Sequence, residues 1–342
     1  MTSEQIQSIV TGGRFPGPKT PAKLVETHIS WVILTPAFAF KIKKPVRFPF
    51  LDFSTLEKRE FYCREELRLN RRLAPDMYLD VLPISLIKNG LPEICRADGG
   101  GEALDFAVSM KRMDNSRQMD KQLRQNAVTA KEMEKLAEML VRFHRSVVIK
   151  GSEVADNPGD NRADFDDLFR LEKVAQQIFG KEAAEQFEQW REQVGQFLDK
   201  HEKRLHQRAA SGFWVEGHGD LHARNIFLLP EGPLVFDCIE FSPHFRRLDV
   251  LNELAFLCMD LDAGEHHDLA DVFIDAYCRE WPCIESPEDE KLFLYFKAYR
   301  ANVRLKVALM ESEQHPSADL EQTAKKYWEL LGCYLERLRL PT

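Results

Sequence analysis

The sequence lacks any apolar run long enough to cross a lipid bilayer. Its most apolar stretch, residues 29–40, is interrupted by Pro36 and falls short of the roughly 20 residues that a transmembrane helix needs. The first residues carry no basic cluster, and no apolar segment follows them, so an export signal is not expected. These absences predict a cytoplasmic protein without a membrane partner.

Closely spaced cysteine pairs are also missing. The seven cysteines of the 342-residue chain form no C-x-x-C pair. An odd number of scattered cysteines in a chain of this length is typical of reduced thiols and not of a disulfide framework. This pattern agrees with a reducing compartment.

An excess of basic residues is absent as well. Lys and Arg number 47 against 55 for Asp and Glu, which gives a formal net charge of −8. This balance argues against nucleic acid as the main partner and leaves room for a cationic small-molecule substrate.

The hydrophobic pattern changes along the chain, and no internal repeat is present. Residues 24–113 alternate mostly as strands do, and one helix from Ser54 to about Ala74 interrupts them, beginning with a capping box. From residue 129 onward the pattern is helical, apart from a β-rich island at 213–241. We therefore predict an α+β protein with a β-rich N-terminal domain, residues 1–113, and a larger helical domain, residues 114–342.

One segment carries most of the chemical information. His218, Gly219, Asp220 and Asn225 form a polar loop, which a hairpin-like stretch connects to Asp237. This arrangement resembles the catalytic loop and metal-binding aspartate of the protein-kinase-like superfamily, in the version used by aminoglycoside and choline phosphotransferases. The resemblance implies a two-lobed kinase-like fold, with one helix in the β-rich lobe and a small catalytic hairpin in the helical lobe.

The chemistry of phosphoryl transfer explains the spacing. A carboxylate must orient the attacking hydroxyl, and oxygen ligands must hold magnesium against the triphosphate. The resemblance assigns Asp220 to catalysis, with His218 bracing the loop, and Asn225 and Asp237 to the metal. A zinc site on His218 and His222 is disfavoured, because that spacing requires a helix and Gly219 follows a strand. The simplest alternative is a polar turn around a hairpin.

A kinase-like site also requires a lysine for the phosphates. The stretch 38–41 has the form of the kinase strand V-A-I-K, which points to Lys41. Because strand side chains alternate, Lys43 faces the same side and is the rival candidate, whereas Lys44 points the other way.

Helical geometry selects a partner for that lysine. At 100° per residue, Glu66 falls within the apolar arc of the predicted helix and Glu65 falls outside it. A carboxylate on a buried stripe is costly without a cationic partner, and Lys41 is the natural one. A tilted helix with Glu66 at its solvated edge is the alternative.

The expected glycine-rich turn over the phosphates is missing. Residues 26–30, between the first two strands, contain no glycine, so backbone amides or the hydroxyls of Thr27 and Ser30 would have to substitute. At the end of the last predicted strand, the segment with Lys111 and Met113 resembles the hinge that binds adenine through its backbone.

Two further assignments concern the helical domain. Asp249 is expected to cap a helix and brace the catalytic loop. Glu240 is either an additional metal-site residue or a solvent-facing acid. The acceptor would lie near a set of acidic and basic residues in the helical domain. The acids could bind an amine and the basic residues an anionic group, or the whole set could form only solvated helix faces. The set consists of Glu253, Asp260, Asp262, Glu265, Arg300, Arg304 and Lys306.

These inferences combine into a functional hypothesis. We expect an ATP- or GTP- and Mg²⁺-dependent phosphotransferase acting on a small-molecule hydroxyl. The rivals are a nucleotide-binding regulator without transfer activity and a protein kinase, although no A-P-E activation segment follows Asp237. The chain further resembles a bacterial group often fused to a C-terminal P-loop ATPase, and no P-loop motif occurs here, so we do not expect that ATPase. The resemblance rests on residues 27–30, 53–59, 69–75 and 236–241.

Overall fold

A computed structural model describes residues 1–17, 21–48, 50–87, 90–96, 102–151, 158–159 and 161–339. The chain divides into two compact units, which we describe separately. Unit 1 contains Met1–Lys121, Asn225–Leu229 and Leu234–Phe245, and unit 2 contains Gln122–Arg224, Pro230–Pro233 and Arg246–Thr342.

Unit 1 is built on a six-stranded antiparallel sheet with the strand order β1-β2-β3-β8-β6-β7. A two-stranded ribbon of β4 and β5 accompanies it. The strands are β1 (Lys23–Glu26), β2 (Ser30–Leu34), β3 (Phe38–Lys43), β4 (Arg47–Phe48), β5 (Leu51–Asp52), β6 (Tyr78–Leu86), β7 (Pro92–Ile94) and β8 (Ala103–Lys111).

The sheet buries apolar residues on both faces. On one face Phe40 and Ile42 pack with Ile6 and Ile9 of α1 (Ser3–Gly12). On the other face Ala39 packs with Cys63 of α2 (Leu56–Asn70). Because successive side chains of a strand point to opposite faces, the odd-numbered positions of β3 face the α2 side. This alternation brings Lys41 and Lys43 towards α2.

Helix α2 begins at its cap and carries a narrow buried stripe. Thr55, and not Ser54, is the N-cap, and its side chain accepts a hydrogen bond from the Lys58 N–H. The stripe repeats at helical spacing and consists of Arg59, Cys63, Glu66, Leu69 and Asn70.

Unit 2 is mainly helical. The first division between the two units falls within helix α3 (Met119–Arg124). A short ribbon pairs β9 (Trp214–Glu216) with β12 (Arg247–Asp249). The helices are α4 (Ala130–Ser146), α5 (Arg162–Asp166), α6 (Glu172–Phe179), α7 (Ala183–Arg208), α9 (Val250–Ala263), α10 (His267–Glu280), α11 (Pro287–Gln314) and α12 (Ala318–Arg339).

The remaining elements are the predicted hairpin and the segment that follows it. The hairpin consists of β10 (Ile226–Leu229) and β11 (Gly232–Val235), and the short helix α8 (Pro243–Arg246) follows it. The division predicted at residue 113 assigns 237–240 to the second domain, whereas this segment belongs to unit 1. The reason is that its polar groups are bonded to α2, β3 and β6.

The predicted fold class is confirmed: the protein is α+β, with a β-rich N-terminal unit and a helical second unit. The sequence analysis did not predict α1 and α12. The signal for α12 exists, because Ala324, Tyr327, Leu331 and Tyr334 recur at helical spacing on its buried side. Within the residues described, no helix is both long and apolar enough to traverse a membrane.

Candidate active site

Unit 1 brings together three residues that lie far apart in the sequence. Lys41 Nζ lies 2.9 Å from Glu66 Oε1 and 2.6 Å from Asp237 Oδ1. The lysine comes from β3, the glutamate from the buried stripe of α2, and the aspartate from the segment after the hairpin. Glu66 is fully buried, as its helical position predicts. Glu65 instead pairs with Arg68 on the surface.

Both candidate lysines belong to this cluster. Lys43 Nζ lies 2.6 Å from Glu66 Oε2 and also contacts Glu240. The two ammonium groups therefore share one carboxylate. Lys41, Lys43, Glu66, Asp237 and Glu240 are called the lysine–carboxylate cluster below.

Exposure separates the two lysines. The side chain of Lys43 is 1% exposed, and that of Lys41 is 14% exposed. The Asp237 side chain is 44% exposed. The solvent-facing edge of the cluster is therefore the Lys41–Asp237 pair, and Lys43 and Glu66 form its buried part.

Charge balance explains the pKa values within the cluster. Burial alone would lower the pKa of Lys41, but Asp237 and Glu66 outweigh it and raise the pKa well above its usual range. Burial would raise the pKa of Glu66, yet the two lysines lower it. The pKa of Glu240 is raised, mainly by burial. Two cations thus face three carboxylates, and the cluster can accept further positive charge.

The segment that carries Asp237 is held by its backbone. The Asp237 N–H donates to the Tyr78 hydroxyl (3.2 Å), and the Cys238 N–H donates to Asn70 Oδ1 (2.9 Å). Asp237 has a φ of 65°, a left-handed conformation that costs energy for a non-glycine residue. These contacts hold the aspartate in that conformation. Sequence reasoning missed Tyr78 and Asn70, although Asn70 lies on the buried stripe of α2.

Asn225 lies next to the same segment. The Phe236 N–H donates to the Asn225 carbonyl (3.0 Å), and the rings of Phe227 and Phe236 stack 4.9 Å apart. Asn225 is buried. The hairpin therefore brings the backbone of Asn225 next to Phe236, the residue that precedes Asp237.

The predicted hinge leaves one backbone donor available. The Lys111 N–H donates to the Met77 carbonyl and the Arg112 N–H to the Ala37 carbonyl, each at 2.8 Å. Within the described residues, the Met113 N–H has no such acceptor. The side chain of Lys111 is exposed, so only its backbone belongs to the hinge.

The turn between β1 and β2 is closed by backbone hydrogen bonds and by the Thr27 hydroxyl. The Thr27 N–H donates to the Ser30 carbonyl (2.9 Å), and the Ser30 N–H donates to Thr27 Oγ1 (3.0 Å). Ser30 is 1% exposed. Contrary to expectation, its hydroxyl does not face outward and cannot substitute for a glycine-rich loop.

In unit 2, Glu253 holds the start of the catalytic loop. Its carboxylate accepts hydrogen bonds from the backbone N–H groups of His218 and Gly219, the latter at 2.9 Å. Glu253 is fully buried. Burial would raise its pKa, but His144, together with His218, lowers it to about 2. The ionised carboxylate therefore acts as a fixed acceptor beneath the loop.

Glu253 replaces Asp249 in the role that the sequence predicted. Asp249 does cap α9, since it accepts from the Leu251 N–H (2.8 Å). Its carboxylate otherwise forms a two-pronged pair with Arg208, at 2.7 and 2.8 Å. Arg208 also contacts Asp289 at 2.9 Å. The capping role predicted for Asp249 is confirmed, whereas its predicted bracing role was wrong, because the acid that reaches the loop lies one helical turn further along α9.

Other backbone groups of the loop are also hydrogen-bonded to side chains. Gly219 has a φ of 83°, which favours glycine, and its carbonyl accepts from Arg300 Nη1 (3.1 Å). The Asp220 N–H donates to His218 Nδ1 (3.2 Å), and the Ala223 N–H donates to Asp260 (3.0 Å). These bonds, together with those to Glu253, form what we call the loop scaffold.

His218 and His222 have different positions. His218 is fully buried, so it positions the loop and cannot touch a substrate. His222 Nε2 lies 3.3 Å from Asp220 Oδ2. Desolvation would raise the pKa of Asp220, but His222, then His218 and Arg304, lower it below its usual range. Asp220 is thus an ionised carboxylate whose side chain is 35% exposed. Sequence reasoning missed the role of His222.

Most acids proposed for the acceptor site already have partners. Asp262 contacts Lys297, Tyr334 and His267. Glu253 and Asp260 hold the loop. Lys306 Nζ lies 3.7 Å from Asp167.

The chain matches the Phosphotransferase enzyme family over residues 63–286. This range contains Glu66, the catalytic loop and Asp237. The chain therefore belongs to this family, and membership supports phosphotransferase activity without specifying the acceptor.

The curated relatives that match the chain are longer proteins. The chain is 31% identical over 295 residues to the uncharacterized protein Rv2004c of Mycobacterium tuberculosis. The match covers 84% of this chain and 55% of the relative, and a Mycobacterium bovis protein gives the same values. The chain thus spans about half the length of the curated relatives it matches.

Solved structures with the same fold include three phosphotransferases. A choline kinase from Cryptosporidium parvum has a TM-score of 0.57 and 13% identity, covering 98% of this chain and 96% of that one. A Plasmodium vivax ethanolamine kinase has a TM-score of 0.56 and 10% identity, covering 99% and 88%. An aminoglycoside phosphotransferase bound to GDP and kanamycin has a TM-score of 0.53 and 13% identity, covering 98% and 99%. The predicted resemblance to aminoglycoside and choline phosphotransferases is confirmed.

Proposed function

We propose that this chain is an ATP- and Mg²⁺-dependent phosphotransferase that acts on a hydroxyl group of a small molecule. The observation that carries the proposal is the pairing of Lys41 Nζ with both Glu66 and Asp237, at 2.9 and 2.6 Å. This triad joins a strand, a helix and the segment after a hairpin, and phosphoryl transfer requires a lysine, an anchoring acid and a metal-binding acid.

Lys41 would bind the phosphates of the nucleotide. Its ammonium group is paired with two carboxylates, and Asp237 is the exposed one of the two. When a triphosphate binds, Lys41 can exchange Asp237 for phosphate oxygens and keep Glu66 as its anchor. Lys43 helps because it holds the second oxygen of Glu66 and fixes the direction of that carboxylate.

The donor set fits a magnesium ion. Mg²⁺ prefers oxygen ligands and is usually held by one or two carboxylates together with substrate phosphates. Asp237 would supply its half-exposed carboxylate, and Asn225 would supply its side-chain amide oxygen. When bound, the ion would neutralise the charge that develops on the phosphates.

Asp220 would orient the attacking hydroxyl. Because its pKa is lowered, it is ionised at neutral pH and accepts a hydrogen bond from the acceptor. The hydroxyl oxygen then attacks the γ-phosphorus, the bond to the β-phosphate oxygen breaks, and the hydroxyl proton passes to the Asp220 carboxylate. The loop scaffold contributes by holding this carboxylate in place before substrate arrives.

Adenine or guanine would bind at the hinge through backbone groups. The Met113 N–H is the available donor, and Lys111 contributes its carbonyl. The solved aminoglycoside phosphotransferase structure contains GDP, so GTP is tested beside ATP.

The decisive experiment combines nucleotide binding with nucleotide consumption. Thermal shifts are measured with ATP and GTP, with and without Mg²⁺, and consumption is then screened across amines, sugars, hydroxy acids and proteins. Asp220→Asn should abolish turnover and leave the nucleotide-induced shift unchanged. Asp199→Asn is the matched control, because the Asp199 side chain is 70% exposed and pairs only with Arg162.

Each outcome has one meaning. Turnover by the Asp220→Asn variant at the wild-type rate would refute the assignment of Asp220. Nucleotide binding without consumption of any acceptor would replace the proposal with a nucleotide-binding regulator. Consumption with proteins alone would favour a protein kinase.

A further inference from the structure

Two arginines one helical turn apart on α11 have different surroundings. Arg300 is fully engaged: its Nε donates to Asn252 Oδ1 (2.7 Å), and its Nη1 donates to the Gly219 carbonyl. Arg304 has fewer partners. Its Nε is buried without a hydrogen-bond partner, and the rest of its guanidinium hydrogen-bonds the Tyr327 side chain. Arg304 forms no ion pair with a carboxylate among the described residues.

The neighbours of Arg304 are mostly neutral or already engaged. Its guanidinium lies over the ring of Tyr327, 5.6 Å from the centroid. Burial alone would lower its pKa, but Tyr327, Asp260 and then Asp220 raise it. Arg304 in turn contributes to the lowered pKa of Asp220. The Arg304 guanidinium, which forms no ion pair among the described residues, therefore lies within electrostatic reach of the Asp220 carboxylate.

A partly buried cation without an ion-pair partner is costly. Proteins keep such groups where a ligand completes them, and a guanidinium matches carboxylates and phosphates with two parallel hydrogen bonds. A second guanidinium, that of Arg224, is exposed and close enough to Tyr327 to affect its pKa. The surroundings of Tyr327 thus offer two guanidinium groups.

Of the four acids considered for an amine in the same unit, three are already engaged, and Glu265 is exposed. Asp262 is neutralised by Lys297 and also bonded to Tyr334 and His267. Asp260 accepts the Ala223 N–H, and Glu253 is fully buried beneath the loop. These contacts weaken the case for a cationic acceptor.

We propose that the acceptor carries an anionic group, a carboxylate or a phosphate, which Arg304 binds while Asp220 orients the hydroxyl to be phosphorylated. This inference rests on the proposed function and narrows its substrate class. It differs from the cationic substrate that the acidic composition allowed.

The test compares hydroxyl compounds that differ only in charge. Nucleotide consumption is measured with glycerol, glycerate, glycerol phosphate, ethanolamine and choline at equal concentrations. The wild type should consume nucleotide with an anionic compound, and glycerate against glycerol phosphate distinguishes carboxylate from phosphate. Arg304→Gln should raise KM for that acceptor by about 100-fold, as expected for the loss of a charge-assisted pair, and change kcat less.

Two further variants make the result specific. Arg304→Lys keeps the charge but loses the two-pronged geometry, so its KM should fall between those of wild type and Arg304→Gln. Lys325→Gln is the control, because Lys325 is exposed on α12 and belongs to no proposed site, and its KM should not change.

A binding measurement tests the site without turnover. With ADP and Mg²⁺ at saturating concentration, inorganic phosphate should raise the melting temperature of the wild type and of Lys325→Gln, but not of Arg304→Gln. An equal shift in all three proteins would overturn the inference. The inference would also be overturned if the protein consumed nucleotide with ethanolamine or choline and Arg304→Gln left that rate unchanged. In that case the proposed function would stand. Failure of every acceptor in the wider screen would remove the proposed function, and the phosphate shift would still decide the anion site.

Discussion

The lysine–carboxylate cluster of unit 1 and the loop scaffold of unit 2 both contain buried acids, but they neutralise them differently. In the cluster, carboxylates pair with lysine side chains, and one edge of the network is open to solvent. In the scaffold, Glu253 accepts hydrogen bonds from backbone N–H groups and is fully buried.

The difference matches what each region must do. A lysine ammonium is a mobile point charge that can exchange one anion for another. A backbone N–H has a fixed position, so a carboxylate bonded to it determines the shape of the loop. Under the proposed function, the cluster would therefore change partners when a nucleotide and a metal bind, and the scaffold would not.

Removing the acid of the scaffold should have the largest effect. Glu253→Ala leaves the His218 and Gly219 N–H groups buried without acceptors, and the free energy of unfolding should fall by about 3–5 kcal/mol. Urea unfolding of the full chain measures this change. Glu253→Gln keeps one acceptor oxygen and should lose less. A loss below about 1 kcal/mol for Glu253→Ala would show that the loop keeps its shape without this acid.

Replacing the two lysines one at a time should separate the effect on the free energy of unfolding from the effect on turnover. Lys43→Met leaves Glu66 and Glu240 buried with less compensation, so the free energy of unfolding should fall by about 3 kcal/mol. Lys41→Met should cost only about 1 kcal/mol, since Lys43 still holds Glu66, but it should abolish turnover. Unfolding and turnover assays on both variants are required. The double variant Lys43→Met/Glu240→Gln should recover part of the loss, and equal stability of the two single variants would contradict the division.

Lowering the pH should destabilise the loop scaffold over a defined pH range. The pKa of Glu253 is lowered from 4.5 to about 2. The ionised Glu253 carboxylate therefore stabilises the fold fully above pH 4.5, and this contribution is lost as the pH falls towards 2. Between neutral pH and about pH 3 the expected loss from this group is about 2 kcal/mol. Urea unfolding at several pH values measures it. The Glu253→Gln variant should show a smaller dependence on pH in this window, and an unchanged dependence would contradict the assignment.

A surface pair on α2 should have the smallest effect. Arg64 and Glu60 lie 2.7 Å apart, with 62% and 36% of their side chains exposed. Arg64→Ala should change the free energy of unfolding by less than about 0.5 kcal/mol and leave turnover unchanged. This variant calibrates the comparison, because it removes a charge pair from the same helix that carries Glu66. A loss as large as that of Lys43→Met would mean that burial does not distinguish the two kinds of pair.

The sequence alone determined which side chains share a face and which chemistry they could perform. Alternation along β3 placed Lys41 and Lys43 on one side, helical spacing placed Glu66 on the buried side of α2, and the loop motif identified Asp220, Asn225 and Asp237. Such features depend on periods of 2 and 3.6 residues, which are local properties of the backbone.

Only the tertiary structure decided how these side chains are paired. It joined Lys43 to Glu240, which is 197 residues away, and placed Glu253 instead of Asp249 under the catalytic loop. It also set His222 beside Asp220 and left Arg304 without a counterion. Periodicity fixes the direction of a side chain, but its partner depends on which distant segment packs against it, and no local pattern encodes that choice.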